Sequence, residues 1–143
     1  MVSTKYRPGA ISGQLSATMK DFRKLAVWEK SHRLTMGIYR ITQSFPKEEN
    51  YGLTSQIRRA SASIPTNIAE GCGRSTDVEL ARFCEIAMGS ASEFEYQLFL
   101  ASELTYTDPA TYGMFEQDIV EIKRMLSALI IKLRRNKLNA DRG

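Results

Sequence analysis

Thr76-Asp77-Val78-Glu79-Leu80-Ala81-Arg82-Phe83-Cys84-Glu85-Ile86-Ala87-Met88-Gly89-Ser90-Ala91-Ser92-Glu93-Phe94-Glu95-Tyr96-Gln97-Leu98-Phe99-Leu100-Ala101 opens on a capping signal and then keeps helical spacing without a break. Thr76 and Glu79 form a capping box, in which each side chain satisfies a free amide in the other's turn, so a helix is predicted to begin there. Leu80, Cys84, Ala87, Ala91, Phe94, Leu98 and Ala101 step by three and four and make one apolar seam. Phe83, Ile86, Tyr96, Phe99 and Leu100 widen the apolar surface beyond a single stripe, which predicts burial of more than one face.

The same period extends on both sides. Downstream, Asp108-Pro109 is an N-cap followed by the residue best suited to the first helical position. Phe115, Ile119, Ile122, Leu126, Leu129 and Leu133 then keep register. Val120, Met125, Ile130 and Ile131 lie off that stripe and are candidates for a neighbouring subunit. Upstream, Leu53, Ile57, Ala60, Ile64 and Ile68 give another helix, ended by Gly71 and Gly73. Pro65 lies inside it and cannot donate to the carbonyl of Ser61, which predicts a kink, with Ser61, Ser63 and Thr66 at hand to patch the lost bond. Earlier still, Val27, Ser31, Leu34, Ile38, Ile41 and Phe45 form a stripe that Pro46 stops. Arg23, Lys30, Arg33, Arg40 and Lys47 line the opposite side as a potential basic ridge.

Four helices with short links and no period-two strand predict an all-α fold, an antiparallel up-down-up-down four-helix bundle. The predicted organisation is a tail over 1–20, a bundle over 21–137 and a second tail over 138–143. The chain has 143 residues, 43% apolar and 25% charged, which suits one soluble domain. No apolar run approaches the roughly 18 residues of a membrane span. The first eighteen residues hold Lys5 and Arg7 but no continuous apolar stretch, so no secretory signal is expected and the expected compartment is the cytoplasm. Cys72 and Cys84 are then expected to be reduced thiols.

Catalytic constellations are sparse. His32 is the single histidine, so every serine-, cysteine- or zinc-based arrangement would have to be built on it alone. Glu29 and His32 have the Glu-x-x-His spacing of carboxylate-bridged di-iron bundles, but those need a second such motif. Gly71-Cys72-Gly73-Arg74 lacks the preceding strand and following Gly-Lys-Ser of a phosphate loop. The expectation is a non-enzyme without cofactor or metal.

Charge is the informative signal. The net value is +4, yet residues 1–75 hold 12 basic and 5 acidic residues, 76–121 hold one basic and 10 acidic, and 122–143 hold 7 basic and one acidic. One reading packs helices of opposite charge beside one another, within the monomer or between subunits. The other gives the basic segments an anionic partner, RNA or DNA phosphate. Candidate nucleic-acid-binding residues are Arg58 and Arg59, equally able to clamp a carboxylate, and Lys123, Arg124, Lys132, Arg134, Arg135 and Lys137 on the last helix.

Asp21 to Trp28 (DFRKLAVW), Tyr51 to Ala60 (YGLTSQIRRA), Ser63 to Gly71 (SIPTNIAEG), and Arg82-Phe83 with Ile86 to Ser90 resemble the four-helix bundle proteins encoded in intervening sequences of bacterial 23S ribosomal RNA genes. That family is itself similar to the accessory protein of diversity-generating retroelements, a basic bundle that joins a reverse transcriptase and nucleic acid. The resemblance implies a homo-oligomeric ring, typically a pentamer, without known catalytic residues. It leaves two expectations for function: weak, non-specific binding of RNA or DNA by the basic surface, or a protein-interaction scaffold for a partner such as a polymerase.

Overall fold

The computed structural model describes residues 21–142; the predicted tail over 1–20 lies outside them, as does Gly143. Four helices fill the described chain: α1 (Ala26–Ile41), α2 (Leu53–Cys72), α3 (Asp77–Glu103) and α4 (Pro109–Arg142). Short 3-10 turns precede α1 and occupy the connection between α1 and α2. Each helix packs on the next and α4 closes against α1, giving the antiparallel bundle. The register follows from paired positions: Thr35 meets Ser61, Ser63 meets Ser90 and Lys123 meets Glu95.

The predicted seams form the core. Leu34 and Ile38 of α1, Ile57, Ile64 and Ile68 of α2, Leu80, Phe94 and Leu98 of α3, and Ile119, Ile122, Leu126 and Leu133 of α4 are all buried. Ala87, Ala91 and Ala101 let the helices around α3 come close. Two glycines do the same at contacts: a Cβ on Gly37 would sit 2.8 Å from the Phe115 ring, and one on Gly71 would sit 2.8 Å from Leu80 and Phe83. The widened surface of α3 is not buried in the monomer, because Ile86, Tyr96 and Phe99 stand exposed while Phe83 is covered.

Helix starts follow the predicted chemistry. Thr76 accepts the Glu79 amide at 3.2 Å, but the other half of the predicted capping box is not made, because the Glu79 carboxylate turns to Arg82. Asp108 accepts the Thr111 amide at 2.8 Å. That amide holds the Asp108 carboxyl below its usual range. Its capping contribution is therefore present above the unfolded carboxyl's titration and fades as pH falls through the lowered value. The start of α2 relies on Glu49 instead, whose carboxylate accepts the Leu53 amide at 3.1 Å and the Tyr106 hydroxyl at 2.9 Å. One side chain thus ties the α1–α2 connection to the α3–α4 connection. Thr105, in the latter, adopts a φ of 61°, closing α3 in the left-handed conformation that glycine usually supplies.

Two expectations change. The last helix does not stop at Lys137 but continues to Arg142. Pro65 is buried in an α2 that runs through it, and the orphaned carbonyl of Ser61 is not patched from within. Thr35 of α1 donates its hydroxyl to the Ser61 carbonyl at 2.9 Å. That hydroxyl also lies 3.0 Å from the Ser31 carbonyl, but Ser31 already receives a helical amide, so its one proton serves Ser61 better. Ser61 and Thr66 spend their own hydroxyls on Arg58 and Ala62 carbonyls.

Thr35→Val leaves the Ser61 carbonyl buried and unsatisfied, and should destabilise the fold by about 1–2 kcal/mol in urea titrations. In a Pro65→Ala background the new amide serves that carbonyl, so the same substitution should cost much less. Equal costs in the two backgrounds would exclude the substitution of hydroxyl for amide.

Candidate nucleic-acid interface

The eight candidate cations do not form one site. Arg58 and Arg59 are neighbours on α2 yet face different surroundings. Arg58 donates through Nε to the Thr42 hydroxyl at 2.7 Å, reaches the Tyr39 carbonyl at 3.3 Å, and stacks over the Tyr39 ring at 5.0 Å. These contacts close the C-terminal end of α1, whose last carbonyls lack helical amides. Arg59 is exposed and has no ion partner among the described residues.

On α4 the cations divide by direction. Lys123 pairs with Glu95 at 2.9 Å and Arg134 with Glu85, both across to α3. Lys30 of the basic ridge similarly meets Asp118 of α4 at 3.6 Å. These pairs are the predicted packing of oppositely charged helices. Arg124 bonds Glu121 one turn away on its own helix, an exposed contact of small net value. Lys132, Arg135 and Lys137 are exposed, with no ion partner among the described residues. Arg142, which falls in the tail expected from the sequence, extends the same set: Arg124, Arg135 and Arg142 are three and two turns apart and share one outer line. Asn136 donates to Asp77, the first residue of α3, at 3.3 Å, and every residue from Lys137 to Arg142 beyond it is exposed.

Candidate reactive groups are otherwise engaged. The buried Glu29 carboxylate of α1 binds Arg33, and His32 stacks on Trp28 with ring centroids 5.0 Å apart and planes 6° off parallel. Burial pushes the Cys84 thiol up to about 12, with neighbouring Cys72 adding to the shift, so little thiolate exists at neutral pH. No group of three metal-ligating side chains occurs among the described residues, and none of their helices is long and apolar enough to cross a membrane.

Residues 23–128 match the family model of the 23S rRNA-intervening sequence protein. The chain belongs to this family. The intervening-sequence fold recurs in a crystal structure of a protein of unknown function from the S23 ribosomal protein family of Bacteroides thetaiotaomicron VPI-5482. The two share 25% identity over 73% of this chain and 98% of that one, with a TM-score of 0.69. A search of curated proteins returns no match. The match to the 23S rRNA-intervening sequence family ends at Ala128, so it excludes the end of α4 where Lys132, Arg135 and Lys137 stand.

The two α2 arginines should separate in experiment. Arg58→Ala removes a charged donor from the buried Thr42 hydroxyl and should lower stability by about 1–2 kcal/mol in denaturant titrations. Arg59→Ala should leave the unfolding midpoint within about 0.5 kcal/mol of the parent.

Proposed function

We propose that this protein is a non-enzymatic, cytoplasmic oligomer whose basic surface binds RNA or DNA without reading sequence. The observation that carries the reading is the exposed C-terminal part of α4. Lys132, Arg135, Lys137 and Arg142 point cations to solvent where the neighbouring acids are few, while Lys123 and Arg134 are committed to α3. Phosphate contacts of this kind release counterions and carry no base information. Arg124, held only by an exposed pair, adds a cation that a phosphate can recruit.

Assembly multiplies that surface. The outer face of α3, where Ile86, Tyr96 and Phe99 stand exposed, offers an apolar patch to a neighbouring copy and leaves the cations of α4 to solvent. A head-to-tail ring requires a second, unlike patch away from those cations, and a pentamer is the ring size in keeping with the resemblance. Several copies of a weak site on one particle bind a long strand far more tightly than one. The exposed aromatic pair Tyr96 and Phe99 also favours a second reading, a scaffold that docks a partner protein such as a polymerase.

Neutralising Lys132, Arg135 and Lys137 together to Gln should weaken RNA binding at low salt and reduce the slope of log affinity against log salt by about 2–3. Light scattering of the same variant should show the parent's particle mass. Unchanged binding and slope would remove the nucleic-acid reading. Loss of the particle instead would assign these cations to assembly and favour the scaffold.

A further inference from the structure

Two hollows lie on either side of Arg59, and Ser55 and Arg59 line both. The larger, of about 770 Å³, runs along α2 beside the end of α1 and is edged by Tyr39, Thr54, Ser63 and Thr66. The smaller, of about 300 Å³, lies between α2 and α3 and is edged by Tyr51, Gln56, Glu93 and Gln97. Each is lined by a side chain carrying a buried polar atom without a hydrogen-bond partner: Thr54 Oγ1 in the larger, Gln97 Oε1 in the smaller. Thr54 is 4% exposed and Gln97 7%, so both groups are withdrawn from bulk solvent, and no group of the described residues bonds either atom.

The chemistry of the two hollows differs. The larger offers hydroxyl groups and the Arg59 guanidinium, with no carboxylate on its lining, and suits an anion. The smaller is edged by the Glu93 carboxylate and by Gln97, whose Oε1 lies closed beneath the surface without a donor among the described residues. A group with two N–H donors that displaces the cover of Gln97 therefore meets two acceptors. At its rim Tyr51 is 100% exposed, an aromatic ring left open for stacking.

We propose that the hollows astride Arg59 together hold one unpaired nucleotide of a single strand, its phosphate on Arg59 and the hydroxyl-lined side, its base against Tyr51 with an exocyclic amino group donating to Gln97 and Glu93. A duplex hides the base face and takes one of the two amino hydrogens, so the site selects single strands. Adenine and cytosine carry an amino group with two hydrogens in place; uracil has only a ring N–H to offer two acceptors. The inference rests on the nucleic-acid reading above and adds to it a strand and base preference that the α4 cations do not supply.

The test is fluorescence anisotropy at low salt with labelled ten-residue oligo(A), oligo(C), oligo(U) and a duplex of equal length. Oligo(A) and oligo(C) should bind several-fold more tightly than oligo(U) and than the duplex. Tyr51→Ala, at a fully exposed position, should weaken oligo(A) about tenfold, the loss of one base stack, while leaving duplex binding unchanged. Gln97→Met removes the acceptor at similar volume and should bring oligo(A) and oligo(U) together. Duplex binding equal to oligo(A), or oligo(A) binding untouched in Tyr51→Ala, overturns the site while leaving the α4 surface standing. No binding of any strand overturns both.

Discussion

The bundle depends on how one carbonyl is satisfied. Pro65 takes the amide away from Ser61 in the middle of α2, the helix that packs on both α1 and α3. A buried carbonyl without a donor costs on the order of 1–3 kcal/mol, and solvent does not reach Ser61. The hydroxyl of Thr35 meets the need from the neighbouring helix, which fixes α1 against α2 in rotation as well as in height. The polar contact therefore acts as a register pin inside an otherwise apolar interface. Arg58 repeats the arrangement two turns closer to the α1 terminus, donating to Thr42 and the Tyr39 carbonyl. Ser63 and Ser90, 2.9 Å apart, do the equivalent between α2 and α3.

Electrostatics follows from that geometry. With α3 and α4 antiparallel, acids on one and bases on the other meet at two levels, Glu95 with Lys123 and Glu85 with Arg134. These groups are half-exposed or exposed, so their pairing contributes less to stability than to which side chains stay available. What is left over is asymmetric: acidic and aromatic on the outer α3 face, basic and aliphatic on the outer α4 face. A monomer of modest net charge thereby presents two strongly different sides.

Much of this was legible beforehand because apolar periodicity reports the core directly. The stripes from Val27, Leu53, Leu80 and Phe115 onward are the buried faces, and the Thr76 and Asp108 caps stand where short polar side chains meet free amides. What periodicity does not carry is the partner of a polar group on another helix. Nothing in the spacing of Thr35 links it to Ser61, and nothing in Arg58-Arg59 tells that one arginine braces α1 while the other faces solvent. Glu49 as a cap four residues ahead of Leu53 lies outside the usual pattern, and Tyr106, which joins it, is distant in the chain. The end of α4 was underestimated because charged residues weaken an apolar stripe without weakening helix propensity.

The projecting end of α4 has a thermodynamic character of its own. Starting a helix is the costly step, and the bundle has already taken it for α4; the turns after Asn136 only extend what exists. Their order rests on propagation, one residue at a time, without side-chain burial to make it cooperative. Such a segment melts gradually from its tip, with amide exchange quickening toward Arg142 while the core at Leu126 exchanges only through larger openings. Its cations, Lys137 and Arg142, stand on different sides of the helix, with Asp141 beside the second. Any partner that binds only the helical form of these turns also holds them against melting, so association and helix order at this end are a single coupled equilibrium.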